Sequence, residues 1–364
     1  VSYARAMYGR IERKRFASRC LLGNPLGDPH ERDVYVYVPE AAPSGRRFPV
    51  ILLLPGYGSN HLSILSYSPW GPNTVECFDQ QVARGASPPA ILVLPDCMTR
   101  WGGSQFIDSV GTGRYQTYLA DEVIPQVDQH FPTIPTREAR AAAGRSSGAF
   151  GALRRALDRP ELISAVASHA GDAAFEVSMR PMFTSAAIGF ERAGGLAAFA
   201  ERLSQGGPRN APEFDAAFVL AASAAYSPEP AGPFPHVALP FHAATALPDA
   251  AVFERWLAED PLTRMQAPEA AAALRGLSLL YLDAGQSDEH GLQFAARALH
   301  AAAQAAGANV HLEEFPGGHR GTSHRYATSL PRLARALDAA SVVYRPPDGP
   351  GARNCSALPN PIGL

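Results

Sequence analysis

Short runs of apolar residues recur along the chain, and most of them close at a glycine or a proline. Continuous apolar runs of this length are typical of strands that are buried on both faces, as in a parallel sheet. The runs that predict such strands are residues 50–54, 90–94, 141–143, 162–168, 277–283 and 309–315.

Stretches with helical periodicity separate these runs. Apolar side chains recur at every fourth position from Tyr115 to Phe131, and Ala/Leu-rich helices are predicted before Pro160 and over residues 292–306 and 330–340. Strands that alternate with helices predict an α/β fold, with a mostly parallel twisted sheet and helices on both faces. Residues 33–40 instead alternate apolar and polar side chains, which predicts an antiparallel, half-exposed edge strand.

One interval, residues 171–275, contains no core strand run and is rich in alanine, proline and phenylalanine. A loop of that length without structure is uncommon, so we expect helices in it that cover one end of the sheet. The domain prediction is a core of residues 1–170 and 276–343, a cap insertion of residues 171–275, and a Pro/Gly-rich tail of residues 344–364.

The net charge, the apolar runs and the cysteines of the chain indicate which partners and which cellular location to expect. The net charge of −2 gives no reason to expect nucleic acid or an anionic membrane surface as a partner, and no apolar run approaches the length of a membrane span. The four cysteines are far apart, which favours free thiols. The N-terminal segment lacks the apolar core of a signal peptide, so we expect a cytoplasmic location, with a removed leader as the alternative.

The segment Gly144-Arg145-Ser146-Ser147-Gly148 lies where a predicted strand meets a predicted helix. It fits the pattern G-x-S-x-G, in which a serine occupies a strained turn and the residues two before and two after it nearly touch. Centred on Ser147, the flanks would include the bulky Arg145, so the pattern favours Ser146 as a nucleophile. The Ser147 N–H would then lie at the positive end of a helix and could hold an oxyanion.

A nucleophilic serine needs a base and an acid, and the loops after the last two strand runs offer both at the same sheet edge. For the acid, Asp283 lies at a strand end, and Asp288 lies further out in the loop, where its side chain can extend toward the loop that carries the histidine. Asp288 is favoured, Glu289 is a third candidate, and the alternative for Asp283 is a carboxylate that caps its own loop.

The base has two candidates in the loop after the last strand. His319 follows the flexible turn Pro316-Gly317-Gly318 directly and is favoured. His324 lies five residues further on, where it could instead begin a helix or belong to a substrate loop. The chain order Ser, Asp, His is the one expected when an α/β sheet carries this chemistry.

Other residues are candidates for the oxyanion hole and the pocket. The turn after residues 50–54 contains Gly56 and Gly58, so the Tyr57 N–H is a candidate second oxyanion donor; an ordinary glycine-rich strand exit is the alternative. His169 and Asp172 either line the pocket or hold their loop together. The aromatic residues of the cap either pack it onto the sheet or line an apolar pocket, for which Trp256 is a candidate.

Together these motifs resemble one branch of the α/β-hydrolases, which includes esterase D (S-formylglutathione hydrolase), feruloyl esterases, enterochelin esterases and mycolyltransferases. The resemblance covers about residues 10–170 and 277–340. It implies the α/β-hydrolase fold, with Ser146 as nucleophile, Asp288 as acid, His319 as base and the Tyr57 N–H as oxyanion donor. The matching segments are LLLPGYG, YLADEVIPQVDQHFP, GRSSGAFGAL, DAGQSDEHG and FPGGH.

The sequence departs from that branch at three places. Pro55 stands where the turn after residues 50–54, which carries the oxyanion donor, usually has histidine. Ser147 stands where the G-x-S-x-G turn, called the elbow below, usually has methionine or leucine. The cap is much longer than in esterase D. We therefore expect no side-chain role at position 55, and the longer cap disfavours S-formylglutathione as the substrate.

These observations predict a serine carboxylic-ester hydrolase that uses no cofactor or metal and acts on small to medium acyl esters. Its expected partner is a small-molecule ester, and the sequence leaves homo-oligomer formation open. On the same fold, the alternatives are an acyltransferase or a thioesterase of the S-formylglutathione hydrolase kind. A non-catalytic ligand-binding module is disfavoured by the full Ser/Asp/His set, and a metal-dependent hydrolase by the lack of an H-x-x-x-H pair.

Overall fold

The structure is a computed structural model that describes residues 6–40 and 45–343, and the predicted tail of residues 344–364 lies outside this part of the chain. Most of the predicted apolar runs coincide with strands or overlap them within a few residues. The strands are β1 (Arg10–Ala17), β2 (Glu31–Val38), β3 (Val50–Leu54), β4 (Ile91–Pro95), β5 (Asp108–Ser109), β6 (Gly113–Arg114), β7 (Arg140–Arg145), β8 (Ala165–His169), β9 (Leu279–Gly285) and β10 (Val310–Phe315).

Eight of these strands form one sheet, in the order β1-β2-β4-β3-β7-β8-β9-β10, while β5 and β6 form a separate small pair. Strands β3, β4 and β7 to β10 run parallel to their neighbours in that group, because crossover connections join the successive strands. Their carboxyl ends therefore meet at one sheet edge, where ligands of open α/β sheets bind.

The prediction of an edge strand at residues 33–40 is wrong in one respect. Strand β2 is antiparallel to β4, as expected, but β1 pairs with it along its whole length and covers the edge. The true edge strand, β1, has the sequence RIERKRFA and is exposed at most positions. Its charged side chains provide no apolar run, so the pattern of hydrophobicity did not indicate a strand there.

Helices cover both faces of the sheet. The stripe from Tyr115 to Phe131 is one helical segment with a π-helical stretch at Tyr118–Val123, and its apolar side chains are buried. The α-helices are α1 (His61–Ile64), α2 (Thr74–Ala83), α3 (Tyr115–Thr117), α4 (Ile124–His130), α5 (Ser147–Asp158), α6 (Phe175–Ser178), α7 (Phe183–Arg192), α8 (Leu196–Leu203), α9 (Ala211–Tyr226), α10 (Ala250–Leu257), α11 (Pro261–Arg264), α12 (Pro268–Arg275), α13 (Leu292–Ala305) and α14 (Tyr326–Val343).

The long interval between β8 and β9 is largely helical and contains α6 to α12. Its aromatic side chains pack mainly on one another and on Phe150 of α5, forming an apolar core separate from those on the two sheet faces. Burial of this apolar surface holds the helices together and against α5. The buried aromatic residues of this interval include Phe183, Phe190, Phe199, Phe241, Phe253 and Trp256.

Three further findings concern the described part of the chain. Within it, no helix combines the length and the apolar character needed to cross a bilayer. Cys20, Cys77 and Cys97 carry free thiols, and Cys355 lies outside the described residues. Over residues 6–40 and 45–343, no three or more His, Cys, Asp or Glu side chains are grouped as a metal site would require.

Candidate active site

Ser146 occupies a sharp turn between strand β7 and helix α5. Its backbone has φ 54° and ψ −124°, a conformation that is costly for a residue with a side chain. A Cβ on Gly144 would lie 2.2 Å from the carbonyl of Gly148, and a Cβ on Gly148 would lie 1.9 Å from the Leu54 oxygen. Glycine is therefore required on both sides of the serine, and the turn presents Ser146 at the carboxyl edge of the sheet.

The three side chains predicted to act together lie in one hydrogen-bonded row. The Oγ of Ser146 is 3.2 Å from Nε2 of His319, and Nδ1 of His319 is 2.9 Å from Oδ2 of Asp288. Asp288 follows β9, His319 follows β10, and both side chains are buried. A hydroxyl, an imidazole and a carboxylate in this order can pass the hydroxyl proton to the imidazole while the oxygen attacks a carbonyl carbon.

The charge on Asp288 is stabilised by its neighbours. Burial raises the pKa of its carboxyl, but the hydrogen bond and the charge of His319 outweigh that effect, and the pKa lies below its usual range. The backbone N–H of His290 also donates to Oδ1 of Asp288 at 2.9 Å. Asp288 is therefore held as an ionised acceptor for the Nδ1–H of His319. The third acid candidate, Glu289, accepts the backbone N–H of His319 at 2.6 Å and so fixes the loop instead of the ring.

The two rival residues are engaged elsewhere. Asp283 is buried and accepts hydrogen bonds from His169 Nδ1 and Arg325 Nε, each at 2.8 Å. Burial raises the pKa of the Asp283 carboxyl, but these two partners outweigh it and the pKa lies below its usual range. The His324 side chain is exposed, with Nδ1 3.2 Å from the Gly321 carbonyl oxygen. Neither residue is hydrogen-bonded to Ser146.

The turn that follows β3 lies against the elbow. A Cβ on Gly56 would be 3.4 Å from the Cβ of Ser146, so the backbone of this turn approaches the nucleophile closely. The Tyr57 side chain is held by other residues. Its hydroxyl donates to the Trp101 carbonyl at 2.7 Å, and its ring packs on Phe214 and Phe218. This anchoring leaves the backbone N–H of Tyr57 as the group that the turn can offer to an oxyanion.

A cavity of about 430 Å³ opens beside Ser146 and His319. The turn after β3, the elbow, the loops after β8, β9 and β10, and the helical interval all contribute to it. Its volume is in the range of small-molecule sites. The lining residues are Gly56, Tyr57, Gly58, Ser59, Arg145, Ser146, Asp172, Ser178, Met179, Met182, Phe214, Phe218, His290, Leu292, His319, Arg320 and Gly321.

Two of the three pocket candidates are absent from this set of described lining residues. His169 is buried in strand β8, where its ring nitrogens contact Asp283 and Ser329 at 2.8 Å each. Trp256 is fully buried against Phe183 and Tyr226 and donates to Ser227 Oγ at 2.9 Å. For both residues the structure agrees with the alternative to a pocket role, because each polar group has a partner inside the protein. Asp172, in contrast, does line the cavity.

Asp172 contacts both serines of the elbow, which the sequence did not indicate. Ser146 Oγ is 3.2 Å from its Oδ1, and the Ser147 hydroxyl donates to its Oδ2 at 2.9 Å. Met179 and Met182, which also line the cavity, were not singled out either. The presence of serine at position 147, where the resembling proteins have methionine or leucine, was the available signal for a polar partner nearby.

A family model described as "Putative esterase" matches residues 28–336 of the chain. Esterase Rv1288 of Mycobacterium tuberculosis (strain ATCC 25618 / H37Rv) is 29% identical over 133 residues, which are 36% of this chain and 26% of that protein. The chain thus spans about a quarter of the length of the curated relatives it matches. The family match confirms the resemblance that the motifs indicated.

Solved structures with the same architecture include a ferulic acid esterase, with a TM-score of 0.58 and 16% identity, covering 91% of this chain and 100% of that chain. An S-formylglutathione hydrolase from Agrobacterium tumefaciens gives a TM-score of 0.54 and 17% identity, covering 92% of this chain and 98% of that chain. At such identities the likeness shows a shared fold alone, and it confirms the predicted α/β-hydrolase fold.

Proposed function

The chain belongs to the Putative esterase family, and from this premise we propose that it is a serine carboxylic-ester hydrolase with Ser146 as its nucleophile. The observation that carries the proposal is the hydrogen-bonded row from Ser146 through His319 to Asp288. Ser146 and His319 of this row line a cavity large enough for a small ester. The strained backbone at Ser146 adds support, because strain of this kind is stored at functional turns.

The reaction proceeds in two steps. His319 takes the hydroxyl proton of Ser146 as its Oγ attacks the acyl carbon, and His319 then gives that proton to the departing alcohol. The acyl group is left bonded to Ser146. Water attacks this acyl-enzyme with His319 as base, so the carboxylic acid leaves and the Ser146 hydroxyl is restored. Asp288 orients the His319 ring and stabilises its charged form.

The negative charge that develops on the acyl oxygen needs donors. The Ser147 N–H, at the start of α5, has no intrahelical partner and lies at the positive end of the helix dipole. The Tyr57 N–H is the second donor, supported by the close approach of Gly56 to Ser146 and by the anchoring of the Tyr57 side chain. Donors aimed in this way stabilise the transition state more than the ground state.

We assign the helical interval of residues 171–275 the role of a cap that limits substrate size. Met179, Met182, Phe214 and Phe218 from this interval line the cavity, and they surround it with apolar surface next to Ser146. Phe214 and Phe218 also pack on the ring of Tyr57, which ties the cap to the oxyanion turn. A pocket bounded in this way favours small to medium acyl groups.

Ester hydrolysis by this protein is therefore expected to be fastest on short acyl chains. Across a series of p-nitrophenyl esters, kcat/KM should be highest at about two to six acyl carbons, since apolar residues of the cap bound the cavity beside Ser146. The Ser146→Ala variant, assayed in parallel, supplies the blank for each ester. A maximum at long acyl chains, or efficient cleavage of an insoluble polyester, would mean that the cap forms an open groove.

A further inference from the structure

Asp172 is a buried carboxylate in the wall of the catalytic cavity. Its side chain belongs to a residue that is 4% exposed, and its two oxygens contact the hydroxyls of Ser146 and Ser147. Among residues 6–40 and 45–343, no Arg, Lys or His side chain lies within ion-pair distance of it. Every other acid close to Ser146 has a role already: Asp288 binds the His319 ring and Glu289 binds the His319 backbone.

A buried carboxylate without a cation is costly, because neutral hydroxyls replace only part of its hydration. Burial raises the pKa of the Asp172 carboxyl, while the hydrogen bond from Ser147 and the proximity of His319 offset part of that effect. The basic residues that line the cavity lie beyond ion-pair distance of Asp172; they are Arg145, His290, His319 and Arg320. A cation brought by the ligand would supply what the site lacks.

Formation of the acyl-enzyme increases the need of Asp172 for a hydrogen-bond donor. Ser146 has one hydroxyl proton, and it can go to His319 or to Oδ1 of Asp172, each 3.2 Å from Oγ. In the acyl-enzyme that proton has gone, and Oδ1 loses the one side-chain donor that the described residues give it. A new donor must then come from the acyl group or from water.

The acyl group can place a donor there. Its carbonyl carbon is bonded to Ser146 Oγ, and a nitrogen on the neighbouring α-carbon lies about 2.5 Å from that carbonyl carbon. Because Oδ1 of Asp172 is 3.2 Å from Oγ, an α-ammonium falls within hydrogen-bond reach of the carboxylate. Met179 and Met182 line the same cavity and offer apolar surface to the side chain on the α-carbon.

We propose that Asp172 is a specificity-determining residue that binds an α-ammonium group of the acyl moiety, so that α-aminoacyl esters are the preferred substrate class. This inference rests on the proposed ester hydrolysis at Ser146. The alcohol leaves with the proton that His319 returns to it, the aminoacyl group is held on Ser146, and water releases the free amino acid.

The test compares two esters of the same shape. The p-nitrophenyl ester of alanine carries an ammonium where the 2-methylpropanoyl ester carries a methyl group, and about pH 6.5 keeps the α-amino group protonated. Each kcat/KM is divided by the rate of spontaneous hydrolysis, since the amino ester is intrinsically more reactive. The corrected ratio should favour the alanine ester by about 10- to 100-fold, the effect of one hydrogen bond between charged groups.

The Asp172→Asn variant should reduce that ratio to about one, whatever happens to the individual rates. Asp260→Asn is the matched control, because Asp260 is also buried and binds the backbone N–H groups of Ala174 and Phe175 in the same loop, but does not line the cavity. Its ratio should stay at the wild-type value.

Two results would overturn the inference: a corrected wild-type ratio near one, which needs no variant to fold, or a wild-type ratio retained by Asp172→Asn. In both cases hydrolysis of the 2-methylpropanoyl ester would leave the proposed function standing. If neither ester is hydrolysed and no fluorophosphonate attaches to the protein, the proposed function fails and this inference fails with it.

Discussion

Replacing Ser146 with alanine is expected to lower kcat by at least about a thousandfold, while replacing Ser147 with alanine costs less than about tenfold. The first change removes the oxygen that forms the acyl-enzyme. The second removes only the hydroxyl that donates to Asp172, and it keeps the backbone N–H that would hold the oxyanion. Steady-state hydrolysis of a short p-nitrophenyl ester measures both effects.

The two serines are adjacent, so each variant is the control for the other. Ser146→Ala should melt close to the wild-type temperature, because the change removes no large apolar group and alters no glycine of the elbow. Ser147→Ala should melt below it, because the buried Asp172 loses a hydrogen-bond donor. An inactive Ser147→Ala protein together with an active Ser146→Ala protein would show that the G-x-S-x-G pattern was centred on the wrong residue.

The second large effect is expected at the base and its acid. His319→Ala and Asp288→Asn should each lower kcat by about a thousandfold or more, since the first removes the proton acceptor and the second disturbs its tautomer. Asp283→Asn should act on stability instead. It removes a buried partner of Arg325 and His169, which costs about 3–5 kcal/mol of unfolding free energy. Activity per folded molecule should stay within about tenfold of the wild type.

Activity and thermal melting must be measured on the same preparations of these variants. His324→Ala is the matched control for His319→Ala, and because His324 is exposed it should change neither quantity much. In the wild type, kcat/KM should rise with pH, because the base must be unprotonated to accept the Ser146 proton. Equal loss of activity at folded Asp283→Asn or His324→Ala, or a flat pH profile, would contradict the assignment.

The parallel part of the fold was predictable because its strands are buried on both faces. Strand β3, with the sequence VILLL, has no polar residue and was located to the residue. Strand β1 was missed because most of its side chains are exposed to solvent. Its sequence therefore shows neither an apolar run nor an alternation of apolar and polar residues. The place of β2 in the sheet could not be predicted for the same reason. Its alternating apolar and polar side chains indicated one half-exposed face, but they did not indicate the neighbouring strand that covers its edge.

The parts of the candidate site that depend on chain order and on steric rules could be predicted from the sequence. Glycines at 144 and 148 fix the register of the elbow, and loops after parallel strands must meet at one edge, which brings Asp288 and His319 toward Ser146. Loop conformation is different, because it depends on contacts distant in sequence. The orientation of Asp172 toward the two serines, and the inward-facing partners of His169 and Trp256, arise from such contacts and leave no local signature.

Reaction with a fluorophosphonate followed by mass mapping tests the central claim, that Ser146 is an activated nucleophile. Trypsin cleaves after Arg145 and releases a peptide that begins with Ser146 and Ser147, and fragmentation of this peptide distinguishes the two. We expect one probe per chain on Ser146, loss of ester hydrolysis in proportion to labelling, labelling of Ser147→Ala, and none of Ser146→Ala. A label on another residue, or full ester hydrolysis by a protein labelled at Ser146, would contradict the account.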